Sequence, residues 1–343
     1  MVNCKKVMVF VMCSMLVLTL LAGCGSSSSS SKESEKAQSS SGDKQEQPKE
    51  DVEEKKLRIF FTNAFYTAPY CAPLNEEAKK TADAMGVELQ IVDGKGDAQV
   101  QLDQIQNAIL QEFDGIMYFP ADMASSVNIV RKIKDSGIPF VIVNSQVDSS
   151  VQDLIGTFVG PDPLSQGRIA AQMAIEALGA DGGKVVFIEG AGGSEGQIKR
   201  SEGFEEVLKD NPQINILGKQ QADWDPAKAM KVMEDFLTKF GDKIDLVYTH
   251  DDGMFQGVAK VLKDKGLTDK VKVVSIGANR AGVAAVKAGE LYGTASQSPQ
   301  EEGKKGVEAI IKVINGEKLD PWIKTESVPV TSKNVDEFGD AGW

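Results

Sequence analysis

From Leu57 onward, short apolar runs alternate with longer stretches in which apolar residues return every third or fourth position. The runs at 57–62 (LRIFFT), 87–92 (VELQIV), 114–119 (DGIMYF) and 138–143 (IPFVIV) predict strands. After a break, so do 184–188 (KVVFI), 213–217, 244–249 (IDLVYT), 271–276 (VKVVSI) and 291–296. Between them, Leu74, Ala78, Ala82 and Met85 share one helical face. The clearest helix spans 226–240. Asp225 is a natural N-cap, Pro226 takes the first helical position, and Ala229, Val232, Met233, Phe236, Leu237 and Phe240 form one apolar stripe. Strands that are apolar throughout are buried on both faces, which places them in parallel sheets covered by helices. Two successive sets of βα units predict an α/β chain of two doubly wound parallel-sheet lobes rather than one very wide sheet. The segment VGPDPLS at 159–165 reads as a crossing between them.

The start of the chain follows another pattern. Lys5 and Lys6 precede an apolar stretch, Val7 to Leu21, broken only by Ser14 and Thr19. It is too short for a membrane span and reads as a signal peptide over 1–23. Its end, Leu21-Ala22-Gly23-Cys24, matches the lipobox of bacterial lipoproteins, which implies a lipidated Cys24 and a chain anchored outside the cytoplasm. An ordinary secretion signal cut nearby is the plainer alternative. Residues 24–56 are rich in Ser, Lys, Glu and Gln and have little to bury, so they are expected to form a disordered tether.

Composition narrows the function. Cys4 and Cys13 fall in the signal segment, and beyond Cys24 only Cys71 is left, so no disulfide framework is available and stability must come from core burial. The formal charge is −12, and losing Lys5 and Lys6 makes it more negative still. So acidic a body, with no basic cluster, is not a nucleic-acid binder. The single histidine is His250; there is no G-x-S-x-G elbow, no paired cysteine ligands and no H-E-x-x-H. The Asp251-Asp252 pair reads as a helix start rather than a metal site. The expectation is a protein without enzymatic activity, cofactor or metal.

In open α/β sheets, ligands sit beyond the carboxyl ends of the strands. Here those ends are polar: Phe119 to Asp122, Asn144 to Gln146, Gly190 to Gln197, His250 to Asp252, Gly277 to Arg280 and Gln297 to Pro299. The stretch FIEGAGGSEGQIKRSEGF at 187–204 looks at first like a phosphate loop. Gly190 and Gly192 fit two positions of the dinucleotide fingerprint, but Glu195 stands at the third, and no Lys-Ser or Lys-Thr follows.

The segments APYCAPLNEEA, GIMYFPAD, IPFVIVNSQ, KRSEGFEEVL, QADWDPAKAM, YTHDDGMFQGVAKVL and ASQSPQEEGKKGVEAI, in this order behind a lipobox, resemble the periplasmic sugar-binding proteins of ABC importers, of the ribose-binding-like type I group. The resemblance runs from about 57 to 316. It implies two α/β lobes joined by a three-strand hinge, with 57–161 and 298–325 in an N-terminal lobe and 162–297 and 326–343 in a C-terminal lobe. It also implies a small-molecule ligand, most simply a monosaccharide, and as partners an ABC permease with its ATPase. A ligand-sensing subunit for a membrane chemoreceptor or sensor kinase is the alternative. A lactose-repressor-type regulator shares the fold but needs a helix-turn-helix where the signal peptide stands.

Carried over by position, the resemblance makes Tyr70 and Trp224 ring-stacking aromatics, Arg200 a fork onto sugar hydroxyls, Asn144 and Asp251 polar contacts, and Gln297 a hinge-side amide. The Gly190–Gly196 turn then swings the chain so that the helix carrying Arg200 faces the ligand. Plainer roles are loop packing for Tyr70, a helix staple for Trp224, an ion pair with Glu195 or Glu202 for Arg200 and a helix cap for Asp251. Asp122 and Arg280 read as a cap and a surface charge. The chain departs from the ribose pattern at Gly277, Ser145 and Phe119, and at Ala64, Ala68 and Cys71. These departures favour a furanose, deoxy sugar, polyol or other small oxygenated ligand over ribose. Gly277 is expected either to open on the cleft or to be glycine for a positive φ.

Overall fold

The computed structural model describes residues 56–338 and Trp343. The signal segment, Cys24 and the tether up to residue 55 lie outside the described residues. The first sheet takes β1 (Arg58–Asn63), β2 (Glu88–Asp93), β3 (Gly115–Phe119), β4 (Phe140–Val143) and β5 (Phe158–Gly160), with helices α1 (Cys71–Ala84), α2 (Ala98–Leu110) and α3 (Met123–Ser136) between them. After α4 (Pro163–Leu178) come β6 (Gly183–Glu189), α5 (Glu195–Leu208), β7 (Ile214–Gln221), α6 (Pro226–Phe240), β8 (Leu246–Thr249), α7 (Asp252–Asp264), β9 (Lys272–Gly277), α8 (Arg280–Ala288) and β10 (Gly293–Ser296). The chain ends with α9 (Pro299–Ile314), β11 (Trp322–Lys324) and β12 (Pro329–Thr331).

The strands make two six-stranded sheets, in the orders β11-β5-β4-β3-β1-β2 and β12-β10-β9-β8-β6-β7. The two lobes are therefore doubly wound, as the alternation of patterns predicts. The chain passes between sheets three times, after β5, β10 and β11. Central strands such as β3, β4 and β8 are buried along their whole length, whereas β2 and β7, at the sheet edges, are only partly covered. Each lobe has apolar clusters on both faces of its sheet.

Three details depart from the sequence reading. Residues 158–160, which overlap the first two residues of the segment 159–165 read as a crossing, form β5, and two further three-residue strands, β11 and β12, complete the sheets. β12 runs antiparallel to β10, so the second sheet is not wholly parallel. Met85 lies past the end of α1 and is 46% exposed, whereas Leu74, Ala78 and Ala82 are buried. Helix α6 starts and stops where its pattern predicts. The Asp225 carboxylate accepts from the Ala227 and Lys228 N–H groups at 2.7 and 3.0 Å.

Candidate functional site

The carboxyl ends of the strands in both sheets face one cavity. Its volume is about 60 Å³, and it opens to solvent at its mouth. Tyr70, Asn144, Arg200, Trp224, Asp251 and Gln297, the six residues singled out from the sequence, all line it. The loop after β1 brings Tyr70, and the end of β4 brings Asn144. The second lobe contributes Arg200 from α5, Trp224 from the turn before α6, and Asp251 at the start of α7. Gln297 follows β10 at a crossing.

The glycine turn positions two of these. Ser194 caps α5 by accepting from the Gln197 N–H, and two turns of helix carry Arg200 inward. A Cβ on Gly190 would lie 2.0 Å from two ring atoms of Trp224. Only glycine lets the indole lie against the backbone at that point. Trp224 itself has φ +61°, an uncommon conformation for a bulky residue, and the Arg200 guanidinium carbon lies 5.5 Å from the centre of its ring.

Arg200 is buried. Its Nε donates to Gln166 Oε1 at 3.0 Å and its Nη1 to the His250 carbonyl at 2.6 Å. With two nitrogens held by neutral oxygens, the fork is fixed in place and keeps its charge for the cavity. Asp251 caps α7, accepting from the Met254 N–H at 2.6 Å, and it faces the cavity as well. Capping and lining are thus both roles of one carboxylate. Burial pushes its carboxyl up to about 7, against the opposing pull of that backbone bond and of Arg200. Gln297 is anchored through its backbone, its N–H donating to the Gly277 carbonyl at 2.9 Å.

The first-lobe wall is mostly apolar: Phe65, Ala68, Cys71 and Phe119 stand beside Tyr70, with Asn144 and Ser145 as the polar members. Phe65 was not singled out from the sequence. It packs edge-on against Phe119 at 5.7 Å and against Trp224, across the cleft, at 6.4 Å. It follows Ala64, one of the positions where the sequence lacks an expected aromatic or polar residue. Burial pushes the Cys71 thiol up to about 12, so it lines the wall as a neutral group.

Gly277 corrects one expectation. It has φ +148°, and a Cβ there would meet the Asp252 carboxylate at 2.8 Å rather than the cavity. That carboxylate, wholly buried, accepts from the Asn279 N–H at 3.0 Å and the Thr294 hydroxyl at 2.8 Å. Asp252 therefore holds the loop together from inside. Asp122 caps α3, as its sequence position indicates.

Two acids that the sequence reading did not assign to the site stand close to it. Glu302, in the first turn of α9 and wholly buried, accepts from the Tyr70 hydroxyl at 2.5 Å, from Asn144 Nδ2 at 2.8 Å and from the Thr325 hydroxyl at 3.4 Å. Its signal was present in the sequence: it shares a helical face with Gly303, Gly306, Val307 and Ile310, an acid among core positions. Glu195 accepts from the Gln146 N–H of the other lobe at 2.6 Å. Beside it, the Met123 N–H donates to the Gly193 carbonyl at 3.1 Å, again across the cleft. Burial pushes both the Glu195 and Glu302 carboxyls up to about 7. Among the described residues no cluster of His, Cys, Asp or Glu is arranged to hold a metal ion, and no helix is long and apolar enough to cross a membrane.

Known proteins share this fold. The family described as periplasmic binding protein domain matches residues 59–318. The xylitol-binding protein of Mycolicibacterium smegmatis is 32% identical over 259 residues, covering 74% of this chain and 72% of its own. The ribose import binding protein of Bacillus subtilis is 27% identical over 284 residues, covering 83% of this chain and 89% of its own. Among solved structures, an ABC transporter solute-binding protein from Bacillus halodurans C-125 with bound myo-inositol superposes with a TM-score of 0.79. It is 27% identical, and the match covers 84% of this chain and 98% of that one.

Proposed function

The chain belongs to the periplasmic binding protein family, and within it we propose an extracytoplasmic lipoprotein that captures a monosaccharide or similar polyhydroxylated molecule and delivers it to an ABC importer. The observation that carries this reading is the convergence of Arg200, Trp224, Asp251, Asn144 and Gln297 on one cavity between two lobes. A sugar or cyclic polyol has an apolar C–H face and a rim of hydroxyls that both donate and accept. The Trp224 ring suits the face, the Arg200 fork suits a pair of neighbouring oxygens, and the Asp251 carboxylate accepts from hydroxyl donors. The relatives named above are solute-binding proteins, and their ligands (xylitol, ribose and myo-inositol) share this chemistry. Anchoring through Cys24 rests on the lipobox alone.

A thermal-shift screen of pentoses, hexoses, furanoses, inositols and linear polyols on the body from residue 57 tests the reading. A tight ligand in large excess adds about 3–4 kcal/mol of stability, a shift of several degrees. Failure of every such compound to shift the transition would sink the proposal. For the anchor, Cys24→Ala should leave the protein soluble or its signal uncleaved. A processed, membrane-bound variant would refute lipidation at Cys24.

A further inference from the structure

Glu302 touches two of the residues that line the cavity and fixes what each offers there. Both of its oxygens are engaged: Oε1 accepts from the Tyr70 hydroxyl at 2.5 Å and Oε2 from Asn144 Nδ2 at 2.8 Å. An asparagine amide has a donating end and an accepting end, and a phenol both donates and accepts. With one N–H of the Asn144 amide directed at Glu302, the orientation of the amide is fixed, and its carbonyl oxygen Oδ1 and second N–H are left for other partners. With the Tyr70 proton given to the ionised Glu302 carboxylate, the phenol has no donor left to offer. Asn144 is held rigidly as well. Its φ is +64°, and its N–H donates to the Val159 carbonyl at 2.8 Å.

We infer that Glu302 is a positioning residue that orients Asn144 and Tyr70 to accept hydrogen bonds, and so selects ligands that present a hydroxyl donor to Asn144 Oδ1. The inference rests on the function proposed above. The opposite wall offers donors through Arg200 and an acceptor through Asp251. A ligand that donates at Asn144 carries a hydroxyl on that edge, while any oxygen on the other edge can accept from Arg200. A carbonyl, ether or other acceptor-only group facing Asn144 meets an oxygen and is rejected. Glutamine at 302 has one oxygen to serve two donors. In Glu302→Gln the Tyr70 hydroxyl keeps the oxygen, and the Asn144 amide turns to accept from the new NH₂, so that a donor faces the cavity.

Two measurements test this. The first needs no ligand: the Asn144 side-chain amide resonance, assigned by its loss in Asn144→Asp. It should show a downfield, slowly exchanging proton that moves in Glu302→Gln and stays in Tyr70→Phe, which leaves the Glu302–Asn144 bond intact. An Asn144 signal indifferent to Glu302→Gln overturns the inference. The second compares xylitol, D-allose and myo-inositol with their monodeoxyfluoro analogues, which cannot donate at the altered carbon. In the natural protein one position should lose about tenfold in affinity on fluorination, the value of one hydrogen bond. Glu302→Gln should abolish that penalty while leaving those at other positions unchanged. If Glu302→Gln weakens parents and analogues alike, Glu302 is structural only and the inference fails. If the natural protein binds none of the parent compounds, the proposed function falls for these ligands, and the amide resonance still decides whether Glu302 orients Asn144.

Discussion

Replacing Gly277 by alanine places a Cβ about 2.8 Å from the Asp252 carboxylate, on a backbone with φ +148°. Gly277→Ala should therefore lower the melting temperature with no ligand present, by about 2–3 kcal/mol of stability. A melting temperature equal to that of the natural protein would show that the loop relaxes. Arg200 carries a prediction of the other kind. Lysine cannot reach Gln166 and the His250 carbonyl together with a planar fork, so Arg200→Lys should weaken binding in the ligand screen by about 2 kcal/mol or more. Titration calorimetry with the best ligand of that screen checks it. The contrast shows what was legible at this scale. Arg200 and Trp224 could be read only through the resemblance that carries their positions, whereas Asp251 also stands just past the apolar strand β8. Gly277 could not, because a residue without a side chain does not show which way it points. Glu302 stands out as an acid on a core-facing helical stripe, but its role could not be read because its partners come from residues 232 and 158 positions away.

Among the elements, α6 was legible to the residue, since Asp225, Pro226 and the apolar stripe agree at every level. Asp225→Ala should cost about 1 kcal/mol through loss of the cap. Because Trp224 immediately precedes that cap, ligand-induced fluorescence should also shrink; Trp322→Phe and Trp343→Phe isolate the Trp224 signal. Retained stability would mean that packing alone fixes the start of α6. The short strands β5, β11 and β12 escaped the pattern because three residues carry no period. They exist because neighbouring strands offer hydrogen bonds, as where Phe158–Gly160 pairs with Trp322–Lys324. Nothing in a local window records such a partner.

At the scale of the molecule, three carboxyls (Glu195, Asp251 and Glu302) are held near 7 by burial. A carboxyl raised in the folded state favours folding while it is protonated. Its contribution is complete below the usual carboxylate range and is lost as pH rises through about 7. The ligand-free body should thus melt lower at about pH 8 than at about pH 5.5, and Asp251→Asn should flatten that slope; an unchanged slope would remove Asp251 from the set. The Met123–Gly193 and Gln146–Glu195 hydrogen bonds, with Phe65 against Trp224, join one lobe to the other directly. The four residues of the two hydrogen bonds, unlike Phe65 and Trp224, stand outside the cavity lining. Apparent affinity is the intrinsic affinity scaled by the fraction of molecules closed. Loosening this seam with Glu195→Gln should multiply the dissociation constants of all ligands by one common factor, leaving their rank order intact. The solute concentration at which the protein responds is then adjustable separately from the choice of solute.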